Sequence, residues 1–152
     1  MIIENNGLEV ITAAIIAAFM AQFLKIVFYY KTNKKINFKI LTETGGMPSS
    51  HSAFVIALTT SVALVEGYLS TQFAIALGYA LVVMYDAAGL RRSAGKMATV
   101  LNKVVDDYYH EKPTKPSERL IELLGHTPIE VLMGALLGFV ISMAYHVILC
   151  KF

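Results

Sequence analysis

The chain has 152 residues, 56% of them hydrophobic and 16% charged, with a net charge of +2. The charged share lies well below the ~25% of soluble domains, which argues against a water-soluble globule, and so small a net charge argues against a nucleic-acid binder. The length suits one membrane domain over residues 1–152, and a single cysteine, Cys150, excludes an internal disulfide framework.

The first apolar stretch runs from Leu8 to Tyr30, interrupted only by Glu9, Gln22 and Lys25. A bilayer core ~30 Å thick needs about 20 helical residues, so 8–30 predicts a transmembrane helix. Glu4 precedes it where a signal peptide would carry a basic residue, and the run exceeds the ~7–15 residues of a signal-peptide core, so a cleaved leader is not expected. Residues 31–50 form a loop with Lys31, Lys34, Lys35 and Lys39. Residues 52–68 and 71–88 predict the second and third transmembrane helices. Ser52, Thr59, Thr60 and Ser61 dilute the second, but hydroxyls can bond back to their own helix and small residues permit close packing.

The connection 89–129 is more than a linker. Met97, Val100, Leu101, Val104, Val105 and Tyr108 are spaced as a helical stripe, which predicts a surface helix from Arg92 to Tyr109 lying along the interface or capping the bundle. Pro113 and Pro116 break it, and Ser117 can cap a second short helix through Leu124. Residues 131–149 predict the fourth transmembrane helix, with His146 as its one ionisable group. The expected fold is all-α: an integral membrane bundle of about four transmembrane helices plus one or two amphipathic surface helices.

Eleven of the thirteen basic residues fall in the two loops 31–50 and 89–129. The positive-inside rule makes that face cytoplasmic and turns both termini outward. Lys25 lies near enough to the end of the first helix to snorkel to the same face. The expected location is a bacterial plasma membrane, with the site on its cytoplasmic side.

Three motifs gather at that face. Gly45-Gly46-Met47-Pro48-Ser49-Ser50-His51-Ser52 enters the second helix. Gly46 lets backbone approach a ligand, a helix N-terminus favours an anion, and Ser49 and Ser50 add donors beside His51. Asp86-Ala87-Ala88-Gly89-Leu90-Arg91-Arg92 leaves the third helix, and Arg91 and Arg92 offer planar forks for phosphate oxygens. Gly125-His126-Thr127-Pro128-Ile129-Glu130 enters the fourth. His126 and Glu130 are four apart and lie on one helical face if the helix begins early, and a carboxylate on one imidazole nitrogen would make the other a better nucleophile. Each motif also has a plain structural reading: a capped turn, a positive-inside flank, a first-turn acid placed for the helix dipole. Together, two histidines, several cations and a Gly-Ser turn are the parts of phosphoryl transfer through a phosphohistidine. No Asp/Glu cluster of the kind that holds two metals is present.

Pro48-Ser49-Ser50-His51 resembles the Pro-Ser-Gly-His motif of the type 2 phosphatidic acid phosphatase (PAP2) superfamily, which includes vanadium haloperoxidases. Gly125-His126 with Glu130 and the small-residue helix after it is similar to that superfamily's third motif. The whole pattern resembles the compact, divergent bacterial branch. The resemblance implies His126 as nucleophile, Glu130 as its partner, and His51 as general acid. It implies phosphate binding by Ser49 and the backbone of Ser50, with Lys25 or Lys39 replacing the first-motif lysine and Arg91 or Arg92 the missing guanidinium. It implies no cofactor and no metal. The first motif's Arg-Pro is absent here, and Arg119 stands one position out of register with the third motif's arginine. The superfamily core has six helices, so a homo-oligomer would complete what four leave open.

The resulting expectation is a metal-independent phosphatase for a membrane lipid phosphate or diphosphate, partnered by the bilayer and by no nucleic acid. The alternative is a non-catalytic membrane module that binds anionic headgroups or a protein through its basic face. A transporter is disfavoured, since Lys25 and Asp86 lie near span ends and leave no charged midplane path.

Overall fold

The computed structural model describes residues 7–34, 46–108, 120 and 125–150. Among them are five helices and no strand: α1 (Gly7–Asn33), α2 (Ser50–Glu66), α3 (Thr71–Ala88), α4 (Leu90–Tyr108) and α5 (Pro128–Cys150). Three stretches are long and apolar enough to cross a membrane: Gly7–Lys31, Thr71–Tyr108 and Pro128–Cys150. The shorter apolar helix α2 makes the fourth member of the bundle.

The bundle is built inside-out relative to a soluble protein. Its core is small: Ala14, Ala17 and Ala21 of α1 meet Ala53 and Ala57 of α2. The large side chains face outward, among them Phe19 and Phe23 of α1, Leu81 and Val82 of α3, and Phe139 and Val140 of α5. In water that arrangement would expose a continuous apolar belt, far beyond the patches of soluble monomers. In a bilayer it costs little, because lipid tails solvate large apolar groups and small residues let backbones approach closely. The chain is therefore an integral membrane protein.

Helix α2 is the hub, packed against α1, α3 and α5. Its contact with α5 is the closest. A Cβ on Gly134 would collide with the carbonyl of Ser49, and one on Gly138 with that of Ala53. One turn further along α5, the Ser142 hydroxyl pairs with that of Ser61 at 2.8 Å. Thr59 bonds its own helix at Val55 O (2.7 Å) and reaches Ala76 O of α3 (3.1 Å). The hydroxyls that dilute α2 in sequence are thus its fasteners. Helices α1 and α3 both pack against α2, and their backbones do not meet.

Some boundaries differ from those expected. Helix α2 stops at Glu66 rather than Tyr68, because Gly67 turns to φ 86° and Ser70 caps α3 by accepting the Phe73 N–H. Helix α5 starts at Pro128, three residues before the expected 131, since proline suits a first helical position. In α4 the small residues Gly95, Ala98 and Asn102 are buried. The apolar stripe of Met97, Val100, Leu101, Val104 and Tyr108 is exposed. Asn102 holds Leu120 at both backbone groups, through Nδ2 to O (2.9 Å) and N to Oδ1 (3.1 Å). Apart from Leu120, the short helix expected over 117–124 lies outside the described residues.

The glycine contact gives a direct test. Gly138→Ala is expected to lower stability by about 1–3 kcal/mol, the usual range for overpacking. Thermal unfolding in detergent measures it, and an unchanged midpoint would contradict the close α2–α5 approach.

Candidate functional site

The expected site residues come from four places in the chain, and backbone hydrogen bonds tie three of those places together. The Ser49 N–H donates to Glu130 O at 3.0 Å, joining the start of α2 to the first turn of α5. The His126 N–H donates to Ala87 O at 2.9 Å, joining the residues before α5 to the end of α3. Gly125, at φ 86°, lies against the backbone of Arg91 and Arg92 so closely that any Cβ would clash. From α1, Lys25 is buried beneath the turn at Gly46, its Cδ 3.9 Å from where a Cβ on that glycine would stand.

His126 and Glu130 meet at 3.1 Å, Nδ1 to Oε2. They do so by a route the sequence reading did not use. His126 precedes α5, so the two do not share a helical face. Thr127 and Glu130 instead form a reciprocal cap: the Thr127 N–H donates to Glu130 Oε2 (3.0 Å) and the Glu130 N–H to Thr127 Oγ1 (3.3 Å). This is a capping box, and Thr-x-x-Glu is its sequence signature. Thr127 is thus a positioning residue missed earlier, although its signal was legible. The cap fixes the carboxylate, and the carboxylate then fixes the imidazole. With Nδ1 facing Glu130, the opposite nitrogen Nε2 is buried and has no hydrogen-bond partner among the described residues.

His51 lies beside it, with ring centroids 6.4 Å apart and ring planes inclined at 62°. The charges acting on His51 are Arg91, Lys25 and Asp86. Arg91 Nε is held by Asp86 Oδ2 at 2.7 Å, so the acid that leaves α3 orients the arginine that follows it. The helices α2 and α5 both begin here, bringing two positive dipole ends to one place.

Not every expected residue is brought in. Ser49 is fully buried, and its hydroxyl oxygen caps α2, accepting from Ser52 N (3.3 Å) and Ser52 Oγ (3.0 Å). Ser50 stays partly accessible at the first turn. Arg92 touches Gly125 through its backbone, and its side chain is exposed. Lys39 and Arg119 lie outside the described residues.

The family model that matches this chain is that of the divergent PAP2 family, and it covers residues 6–141. The chain belongs to the divergent PAP2 family. A relative in Bacillus subtilis (strain 168), described as the uncharacterised membrane protein YuiD, is 41% identical over 141 residues, spanning 86% of this chain and 89% of its own. No solved structure matches. The family match takes in all three motifs, so the convergence of Lys25, His51, Arg91, His126 and Glu130 occurs within the divergent PAP2 region itself.

The histidine at the centre has a defined electrostatic setting. Burial is the largest influence on His126 and pushes its pKa below the ordinary 6.5; Lys25 and His51 push the same way, while the Glu130 hydrogen bond and charge pull it up. The neutral imidazole is therefore the folded form at pH 7. The stability this confers is present above the unfolded value and is lost as pH falls through the lower folded one. NMR titration should place the His126 midpoint below 6.5. Glu130→Gln should lower it further, because a raising influence is removed. A midpoint at or above the ordinary value would contradict the burial.

Proposed function

We propose that this divergent PAP2 protein is a metal-independent phosphatase for a membrane lipid phosphate or diphosphate, working through a phosphohistidine on His126. The observation that carries the reading is the buried Nε2 of His126, without a partner among the described residues, backed by Glu130 and set 6.4 Å (ring centroids) from His51. An imidazole with one nitrogen fixed by a carboxylate and the other unpartnered has the electronic arrangement a nucleophile needs.

The chemistry follows from those roles. Neutral His126 Nε2 attacks phosphorus, and the bond from phosphorus to the leaving oxygen breaks. Protonated His51 gives its proton to that oxygen. The imidazole of His126 becomes cationic, and Glu130 stabilises it across the Nδ1–H bond. Water then attacks phosphorus, the P–N bond breaks, and His51 takes up the proton that water releases. Inorganic phosphate leaves, and both histidines return to their starting states. A bound phosphate dianion favours the protonated form of an imidazole beside it, which readies His51 for the first step.

Lys25 and Arg91 would neutralise the charge spread over the equatorial oxygens, assisted by the two helix starts. Lys25 fits the role of the superfamily's first-motif lysine, being buried next to the histidines. Arg91 fits that of the missing guanidinium, since Asp86 orients it and its charge acts on His51. Nε2 is buried, so a phosphate must displace whatever covers it to reach the nitrogen.

The test is phosphate release from lipid phosphates and diphosphates by the purified protein, with EDTA present. Turnover is expected to persist in EDTA, to vanish in His126→Ala, and to fall by about 10²–10⁴ in His51→Ala, the usual range for a lost general acid. The rate should peak on the acidic to neutral side; a rate still climbing at alkaline pH would contradict the histidine pair. No turnover by folded protein would favour the non-catalytic lipid-binding module instead.

We place the site on the cytoplasmic face of a bacterial plasma membrane, on the strength of the basic loops 31–50 and 89–129. Single-cysteine variants Ser93→Cys, beside the site, and Ser70→Cys, in the α2–α3 turn, test this in a Cys150→Ser background. An impermeant thiol reagent applied to intact cells should label the Ser70 variant and spare the Ser93 variant. The reverse pattern would invert the topology.

A further inference from the structure

A groove of about 450 Å³ runs along one flank of α2, within the ~300–1,000 Å³ range of ligand pockets. Its walls are α1 and α3 and its floor is α2. From α1 come Ile15, Ala18, Phe19 and Gln22; from α2, Ser50, His51, Phe54 and Val55; from α3, Tyr79 and Val83. On each helix the residue nearest the polar site comes first or last in an ordered descent. Gln22 precedes Lys25 by one turn, His51 opens α2, and Val83 precedes Asp86 by one turn. Going away from the site, the lining becomes Ile15 and Phe19, then Phe54 and Val55, then Tyr79. The groove therefore starts at His51 and descends into the bilayer for about 10 Å, the rise of the seven residues from Gln22 to Ile15.

The groove is also open sideways. The backbones of α1 and α3 do not meet, so the space between them faces lipid. Its polar groups are Ser50, His51 and Gln22 at the site end and the Tyr79 hydroxyl further along. A polar end at Ser50 and His51, with the charges of Arg91 and Lys25 acting on that histidine, joined to an apolar trough reachable from the bilayer, matches an amphiphile with an anionic head and a hydrocarbon tail.

We infer that this groove binds the hydrocarbon chain of a single-chain alkyl or alkenyl phosphate monoester, laid along α2 with its ester oxygen at His51. The inference rests on the phosphatase reading for the identity of the head, and it adds the substrate class. If His51 protonates the leaving oxygen, the group leaving is the one that lies in the groove, because His51 lines both. In a single-chain ester, hydrocarbon begins directly after that oxygen. In a diacyl lipid, the glycerol and a second chain would have to share the same trough of about 450 Å³ beside α2. The chain slides in between α1 and α3 from the membrane without leaving lipid.

Two measurements test this in nanodiscs. The first compares hydrolysis of dodecyl phosphate, ethyl phosphate and dioleoyl phosphatidate. We expect kcat/KM for dodecyl phosphate to exceed that for either of the others at least tenfold, and Ala18→Phe, which fills the trough, to lower the dodecyl-to-ethyl ratio at least tenfold. Indifference to chain length, or a preference for phosphatidate, overturns the proposal. The second needs no turnover and covers the case in which the variant fails to fold. A dodecyl phosphonate carrying a diazirine on its chain is photolysed with the wild-type protein, and the adducts are mapped. Adducts on Ile15, Phe19, Phe54 and Tyr79 support the groove; adducts spread over the outer face of α5, at Leu136 and Val140, overturn it. If the wild type hydrolyses none of the esters, the phosphatase reading fails, and the adduct map alone decides the groove.

Discussion

The contact on which the rest of the molecule depends is the close approach of α5 to α2. Gly134 and Gly138 have no Cβ, so α5 lies directly on the carbonyls of Ser49 and Ala53. That approach brings the first turn of α5 within reach of the residue that caps α2, and the Ser49 N–H bonds to Glu130 O as a result. Two helix starts, each carrying a histidine motif, then share one patch of the membrane surface. With larger residues at the two glycines the helices would stand further apart, and His51 and His126 with them. The folding force and the candidate chemistry are thus linked through a pair of absent side chains.

The same economy governs the polar groups. Glu130 serves two structures at once, as the acid of a capping box and as the partner of His126. Asp86 ends α3 and holds Arg91. Gly125 lets the segment before α5 press against the α3–α4 joint, and His126 bonds to Ala87 beside it. In a bilayer, where unpaired backbone groups are expensive, a site built from helix caps uses hydrogen bonds that the fold must make anyway. Lys25 fits this pattern from the fourth side, as a buried cation on a span end whose charge acts on both histidines.

Much of this was legible in the sequence, for physical reasons. The spans were visible because lipid solvation demands long apolar runs, and the basic loops because charge cannot sit in the bilayer core. The His126–Glu130 pair was legible from spacing, although by the wrong geometry: the pair meets across a cap and not along a helix face, because Pro128 begins α5 after the histidine. Ser49 is expected to bind phosphate, and its buried hydroxyl oxygen also caps α2 by accepting from Ser52. A Ser before a helix reads equally as cap or ligand donor, and only burial separates the two. The groove along α2 could not be read at all. It depends on α1 and α3 standing apart, which is a property of three-helix packing and not of any one segment.

His126 Nε2 is proposed to carry the phosphoryl group during turnover. Rapid acid-free quenching of the working enzyme, followed by peptide mass spectrometry, would detect it. A phosphoryl group is expected on His126, labile in acid and stable in alkali. Its occupancy should rise when His51 is replaced by Gln and the esters carry a good leaving group, since hydrolysis of the P–N bond then lacks its base. Steady turnover with no modified His126, or with the phosphoryl group on another residue, would contradict the account.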